Sequence, residues 1–277
     1  MSSLPAPSSS ASRAAGRDVV RPTSKAGRLA RATLGCAGLA VVFVLWWAAV
    51  AVFARHNALA AQFSPLDALG SLPTLVSDDR LLMHVAASLR RIGVGLALAL
   101  LVGVPLGFAI GRVRALETAL SPALQFLRMI SPLSWMPIAV MSLGVGDRPV
   151  YFLLAFAAVW PIVMNTASGV QQIDRRWLLL GESLAATRAE MLWHVYVPAI
   201  AAHVMTGVRL AIGVLWIVLV PAEMLGVSSG LGYLILDTRD RLAYAELMGV
   251  ILVIGALGFA LDYAARLLYQ RFASGDR

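Results

Sequence analysis

The side chains able to do chemistry in this 277-residue chain are few, and most of them interrupt long apolar runs. Ser131 and Ser134 lie among Pro132 and Pro137, with Trp135 between them and Arg128 three residues upstream; Asn165 and Thr166 follow Trp160 and Pro161. These hydroxyls and the carboxamide can donate hydrogen bonds to an anion, and the prolines free backbone groups that can line a polar route. A charge at the centre of a membrane-spanning helix costs roughly 2.5–3.5 kcal/mol on insertion scales, so it needs a protein interior or a watery cavity. Arg128, Ser131, Ser134, Trp135, Asn165 and Thr166 are therefore candidates for lining a pathway. The same residue types also tie one helix to another, and the sequence leaves both uses open. Glu223, after Pro221 near the end of a later apolar run, would repel an anion; its expected role is structural or gating, between two copies of the chain. Arg209, near the start of that run, is expected to snorkel to the membrane surface.

Other chemistries find no support. His56, His84, His194 and His203 are scattered without ligand spacing, and Cys36 is the only cysteine, so no metal site and no intramolecular disulfide is expected. No Ser/His/Asp set can be argued, so no catalytic residue is assigned. Lys25 is the only lysine and no glycine-rich loop precedes it, whereas a Walker A phosphate cradle needs both. ATP hydrolysis is thus not expected of this chain, and no cofactor is expected to bind it.

Composition says what must hold these residues in place. Hydrophobic residues make up 59% of the chain and charged residues 14%, against roughly a quarter charged in a soluble domain. The excess apolar surface needs lipid as its solvent. The net charge of +8 does not point to nucleic acid, because no basic stretch is interleaved with stacking aromatics. Instead Arg13, Arg17, Arg21, Lys25, Arg28 and Arg31 precede the first apolar run with only Asp18 against them. That asymmetry places the N-terminus in the cytoplasm.

The fold class expected is an all-α integral membrane protein with about six transmembrane helices. Residues 1–30 read as a disordered basic cytoplasmic tail and 31–54 as the first transmembrane helix. The charge-free run from Ala32 to Ala54 exceeds the roughly 7–15 residues of a signal-peptide core, which favours a retained helix. Residues 55–80, with Pro65 and Pro73, read as a periplasmic loop. Further spans are expected at about 92–110, within 116–145 (interrupted by Pro122, Pro132 and Pro137), at 150–165, 201–225 and 247–268, followed by a cytoplasmic tail over 271–277. Both termini then lie inside.

The connector over 174–199 is too long and too regular for a plain loop. Asp174 is a good N-cap for a helix over 175–186, and Thr187-Arg188-Ala189-Glu190 has the form of a capping box opening a second short helix that Pro198 stops. The turn between them would carry Leu184, Ala185, Ala186 and Arg188 toward the cytoplasm. An interfacial helix pair on lipid headgroups and a knob docking on a soluble partner both fit this pattern.

The stretch from Glu182 through Met191, Val197-Pro198-Ala199, the segment from Thr206 to Gly213 and Pro221-Ala222-Glu223-Met224-Leu225 resemble permease subunits of bacterial ABC importers. The likeness is nearest to the nitrate/sulfonate/taurine group. The stretch from Ser131 to Ile138, Trp160-Pro161-Ile162, Asn165-Thr166-Ala167, Gly169-Val170 and Gly230-Leu231-Gly232-Tyr233 carry the same resemblance, which covers roughly residues 80–270. It implies a MetI-like permease core and a homodimer of this chain in the bacterial inner membrane. It also implies two ATP-binding cassette subunits, which hold the ATP and Mg, and a periplasmic substrate-binding protein. The substrate implied is a small anion, nitrate first and sulfonate or taurine next, moved from periplasm to cytoplasm. The 174–199 loop would be the coupling segment, with Leu184, Ala185, Ala186, Thr187, Arg188 and Glu190 set on the ATP-binding subunit. The family's turn glycine falls on Ala185 here and its glutamate near Leu179. The alternative is a self-sufficient secondary transporter or channel. Such carriers commonly use mid-membrane carboxylates, whereas Glu223 and Asp262 sit toward span ends.

Overall fold

A computed structural model describes residues 25–56, 62–77 and 80–273; the expected tails over 1–24 and 274–277 lie outside them. In chain order the helices are α1 (Lys25–Ala54), α2 (Pro65–Ser77), α3 (Arg80–Arg112), α4 (Arg114–Met129), α5 (Met136–Leu143), α6 (Asp147–Gln171), α7 (Arg175–Ser183), α8 (Arg188–Met191), α9 (Val197–Gly226), α10 (Leu231–Asp240) and α11 (Tyr244–Ala273). No strand occurs among the described residues. Among the described residues five helical stretches are long and apolar enough to cross a membrane, and α4 with Pro132–Leu143, bent by 86°, brings the number to six where that pair counts as one span. The bend falls at Pro132, whose missing N–H ends the ladder of α4.

The core is the packing of α6 between α3 and α9. Leu153, Leu154, Ala158 and Ile162 of α6 are fully buried, as are Ala211, Leu215 and Leu219 of α9. Apolar burial alone cannot drive this in lipid, which is as apolar as leucine; close backbone approach and van der Waals packing must. The sequence supplies the approach through Gly103, Gly107 and Gly111, four residues apart on one stripe of α3. A Cβ on Gly107 would meet the Val163 carbonyl at 2.6 Å, and one on Gly111 the Ala167 carbonyl at 2.7 Å. From the other side, Gly207 of α9 packs on Pro161 and Ile162.

Three expectations are corrected. Residues 65–77 are helical rather than a loop: Ser64 accepts from Leu66 N–H at 3.3 Å, and proline is well placed in a first turn that needs no N–H. Ala68 and Leu75 of α2 are buried, and Ser71 Oγ donates to the Ala245 carbonyl of α11 at 3.1 Å, so this helix lies on the last span. Second, α1 starts at Lys25 and so takes in residues expected in the tail, because Ala26, Arg28, Leu29 and Ala30 propagate a helix readily. Third, Pro198 does not stop the helix opened by Thr187. A π turn over Leu192–Tyr196 links α8 to α9, and Pro198 falls in the first turn of α9, where its lost donor costs least.

Candidate functional site

Two ends of the bundle and one cavity carry the polar side chains. At one end Arg91 of α3, 1% exposed, joins three elements. Its Nη1 donates to Glu223 Oε1 of α9 at 2.6 Å and to the Ser229 carbonyl at 2.7 Å. Its Nη2 donates to Asp147 Oδ1 at the start of α6 at 2.6 Å and to Ser229 Oγ at 2.9 Å, while Nε donates to Asp147 at 2.9 Å. Arg90 also pairs with Asp147. Glu223, fully buried, accepts further bonds from Ser88 Oγ at 2.8 Å and from Gly232 N–H at 2.9 Å.

The same side chains cap α10. Gly230 N–H donates to His84 Nδ1 and Leu231 N–H to Ser88 Oγ, both at 2.9 Å. Gly230 has φ +110° and sits against the Arg91 guanidinium and the Glu223 carboxylate, so neither the backbone nor the space admits a side chain. Glu223 is thus enclosed within one copy of the chain and does not face a second copy, which corrects the expected location. Sequence reasoning missed Arg91, Asp147, Ser88 and His84, because the network closes over separations of 56 residues (Arg91 to Asp147) up to 146 (His84 to Gly230).

At the opposite end α7 and α8 form a capped hairpin. Asp174 accepts from Arg176 N–H at 2.9 Å. Thr187 Oγ1 accepts from Glu190 N–H at 3.3 Å and Glu190 Oε2 from Thr187 N–H at 2.7 Å, completing the capping box. The turn closes with Ala186 N–H donating to the Gly181 carbonyl at 3.0 Å, and Ala185 takes φ +52°, a left-handed conformation that favours glycine. That is the position at which the resembling family carries glycine. Gly181 is buried where α7 packs on Met191. The hairpin presents Leu184 at 73% exposure, and the exposed Arg188 side chain makes no ion pair or hydrogen bond among the described residues.

Between the two ends, a cavity of about 110 Å³ lies between α4 and α6. Arg128, Gln125, Ser121 and Glu117 line it from α4; Trp160, Ser168 and Gln171 from α6. Of the six pathway candidates only Arg128 lines this cavity. Ser131 and Ser134 are exposed at the bend after α4. Trp135 packs on Phe156 with its ring tilted by 51° and the centroids 5.6 Å apart, and its buried N–H has no acceptor among the described residues. Asn165 donates to its own helix, at Pro161 carbonyl 2.7 Å away, and Thr166 is fully buried against Gly107. Those two side chains serve helix packing. Arg209, expected near a helix end, is partly buried in the interior of the continuous helix that begins at Arg188, and makes no ion pair among the described residues. Glu117, Ser121 and Gln125 were not singled out, although their four-residue spacing is a readable signal.

A bundle of apolar spans, a sharply bent helix pair, a locked polar network at one end and a capped hairpin at the other describe a multi-span helical membrane protein. The chain belongs to the family of binding-protein-dependent transport system inner membrane components, which matches residues 100–275. It is 32% identical over 244 residues to the taurine transport system permease protein of Escherichia coli strain K12, covering 86% of this chain and 88% of that protein. It is 35% identical to the bicarbonate transport system permease protein of Synechococcus elongatus over 67% of each chain. It is 34% identical to the nitrate import permease protein of Synechocystis sp. strain PCC 6803 over 67% of this chain and 68% of that one. Its fold is that of a chain of the MetNI methionine ABC transporter, with TM-score 0.57 and 16% identity, covering 69% of this chain and 95% of that chain. It is an ABC importer permease with a MetI-like fold.

Proposed function

We propose that this chain forms the pore of an ATP-driven importer that carries a small anion from periplasm to cytoplasm, nitrate first and sulfonate or taurine next. The observation that carries the ATP-driven reading is the capped hairpin over residues 174–191. It is a capped, exposed knob joined to α6 and α9, the two helices at the centre of the core. Leu184, Ala185, Ala186, Thr187, Arg188 and Glu190 would dock on an ATP-binding cassette subunit, one per copy of a homodimer, with ATP and Mg held by those subunits. A periplasmic binding protein would deliver the anion, and both termini would lie in the cytoplasm. The solutes in the names of the taurine, bicarbonate and nitrate relatives are all small and all carry an oxyanion group, which supports the substrate class.

A self-sufficient carrier is disfavoured by the state of Glu223. The buried carboxylate that proton coupling would use is tied to Arg91, Ser88 and Gly232. The test is purification of the tagged chain from native membranes in mild detergent, with co-purifying proteins identified by mass spectrometry. A stoichiometric ATP-binding subunit, and uptake in vesicles that requires ATP and prefers nitrate to taurine, are the expected results. A chain that purifies alone under conditions that keep a known importer intact would overturn the reading.

A further inference from the structure

The polar side chains of α3 and α9 near the Arg91 network are saturated with partners; those on α4 are not. Glu117, Ser121, Gln125 and Arg128 make no side-chain hydrogen bond or ion pair among the described residues. At 3.6 residues per turn they fall within an arc of about 80°, while Phe126 points to about the opposite face. The face is continuous over the twelve residues from Glu117 to Arg128, or about 16 Å of helix rise. Such a stripe on a membrane-spanning helix cannot face lipid, since an unpaired guanidinium in hydrocarbon is unstable unless water reaches it.

Because α4 and α6 run antiparallel, Glu117 and Gln171 mark one end of the cavity and Arg128 and Trp160 the other. At the inner end, Arg112 and Arg114 precede Glu117 closely in the chain. Arg128 stands alone, one turn before the bend at Pro132, near the middle of the bundle. Trp160 forms the wall there with its ring; its indole N–H is buried and has no acceptor among the described residues. The cavity has room for several waters, and so for a small anion with part of its hydration shell.

We infer that this face of α4 lines the conduit, and that its Arg128–Trp160 end is a transient site for an oxyanion group: nitrate, a carboxylate or a sulfonate. The inference rests on the importer reading above and assigns the path within it. A guanidinium offers two parallel N–H donors to two oxygens of such a group. A single arginine facing an open, hydrated cavity attracts the ion without caging it, which suits a site that must release its occupant.

The test uses the whole importer, with its partner subunits, in membrane vesicles. In a Cys36→Ser background, single cysteines replace Ser121, Gln125 or Phe126 and are treated with an anionic methanethiosulfonate. Thiolates form in water and not in lipid, so Ser121→Cys and Gln125→Cys should react at least about tenfold faster than Phe126→Cys, with nitrate slowing both. In the native background Arg128→Gln should lower the maximal uptake rate about tenfold, a loss of roughly 1.4 kcal/mol, with KM unchanged because the binding protein sets it. Arg128→Lys should fall between. Equal labelling at all three positions, or none at positions 121 and 125 because a second copy covers the face dry, would overturn the inference, as would normal uptake by Arg128→Gln. The labelling leaves Arg128 intact, so a poorly folded arginine variant does not blunt it. Absence of ATP-dependent uptake by the unaltered protein would instead defeat the importer reading.

Discussion

Arginine appears in spans of this protein in two chemical conditions, and they predict opposite mutational behaviour. Arg91 is fully buried and makes five hydrogen bonds to Glu223, Asp147 and Ser229. Removing one partner of a buried pair costs about 3–5 kcal/mol, because the other charge stays behind unpaired. Arg91→Met should therefore lower the melting temperature of the detergent-solubilised complex and its yield. Adding Glu223→Gln should recover part of the loss, since the neutral amide still accepts from Ser88 and Gly232. A double mutant with additive losses would show that Arg91 and Glu223 are not coupled. Arg128, by contrast, contributes no partner to the fold, so its replacement should spare the melting temperature and act on uptake alone. Neither condition can be read from the residue type. Arg91 and Arg128 look alike in sequence, and only the fold shows which one has carboxylates waiting for it.

At the scale of elements, what was legible is what is encoded locally. The Asp174 cap, the Thr187–Glu190 capping box and the interrupted third span depend on residues within a few positions of one another, and all form where the spacing places them. The α2 and α10 helices were missed because their stability comes from distant chain: α2 rests on α11, and the first N–H groups of α10 are accepted by His84, Ser88 and Glu223. Pro198 misled because a stop signal is conditional on the turn before it, and a π turn there moves the proline into a permissive first turn. The hairpin offers a quantitative check of the local part. Thr187→Ala removes the side-chain half of the capping box and should destabilise the hairpin by about 1 kcal/mol. Ala185→Gly should offset this, since a left-handed alanine costs roughly 1–2 kcal/mol and glycine adopts that conformation freely. Hydrogen exchange of the Ala186–Glu190 amides in the assembled complex measures both; faster exchange in Ala185→Gly would contradict the strain argument.

For the whole molecule, the placement of fixed and free polar groups sets where movement can occur. The Arg91 network ties the start of α6, the end of α9 and the flank of α3 into one body at one end. At the other end the hairpin is covalently continuous with α6 and, through the π turn, with α9, and Leu178 and Met191 pack it on Val170, Tyr196 and Ile200. On the proposed coupling, a push on the hairpin would pass into α6 and α9 and be resisted by the network, so that α4, which faces α6 across the cavity, is the helix whose spacing would change. Arg188 is the handle at which this is best tested, because it is exposed and unpaired and its substitution should alter stability by no more than about 0.5 kcal/mol. Arg188→Glu should leave membrane abundance and melting temperature unchanged while lowering ATP-dependent anion uptake at least about tenfold, which is roughly 1.4 kcal/mol of lost coupling. Its ATP-binding partner should hydrolyse ATP at a rate no longer raised by the loaded binding protein. Unchanged uptake at normal abundance would mean that the hairpin does not transmit force through this residue, and that the knob lies on the membrane surface instead.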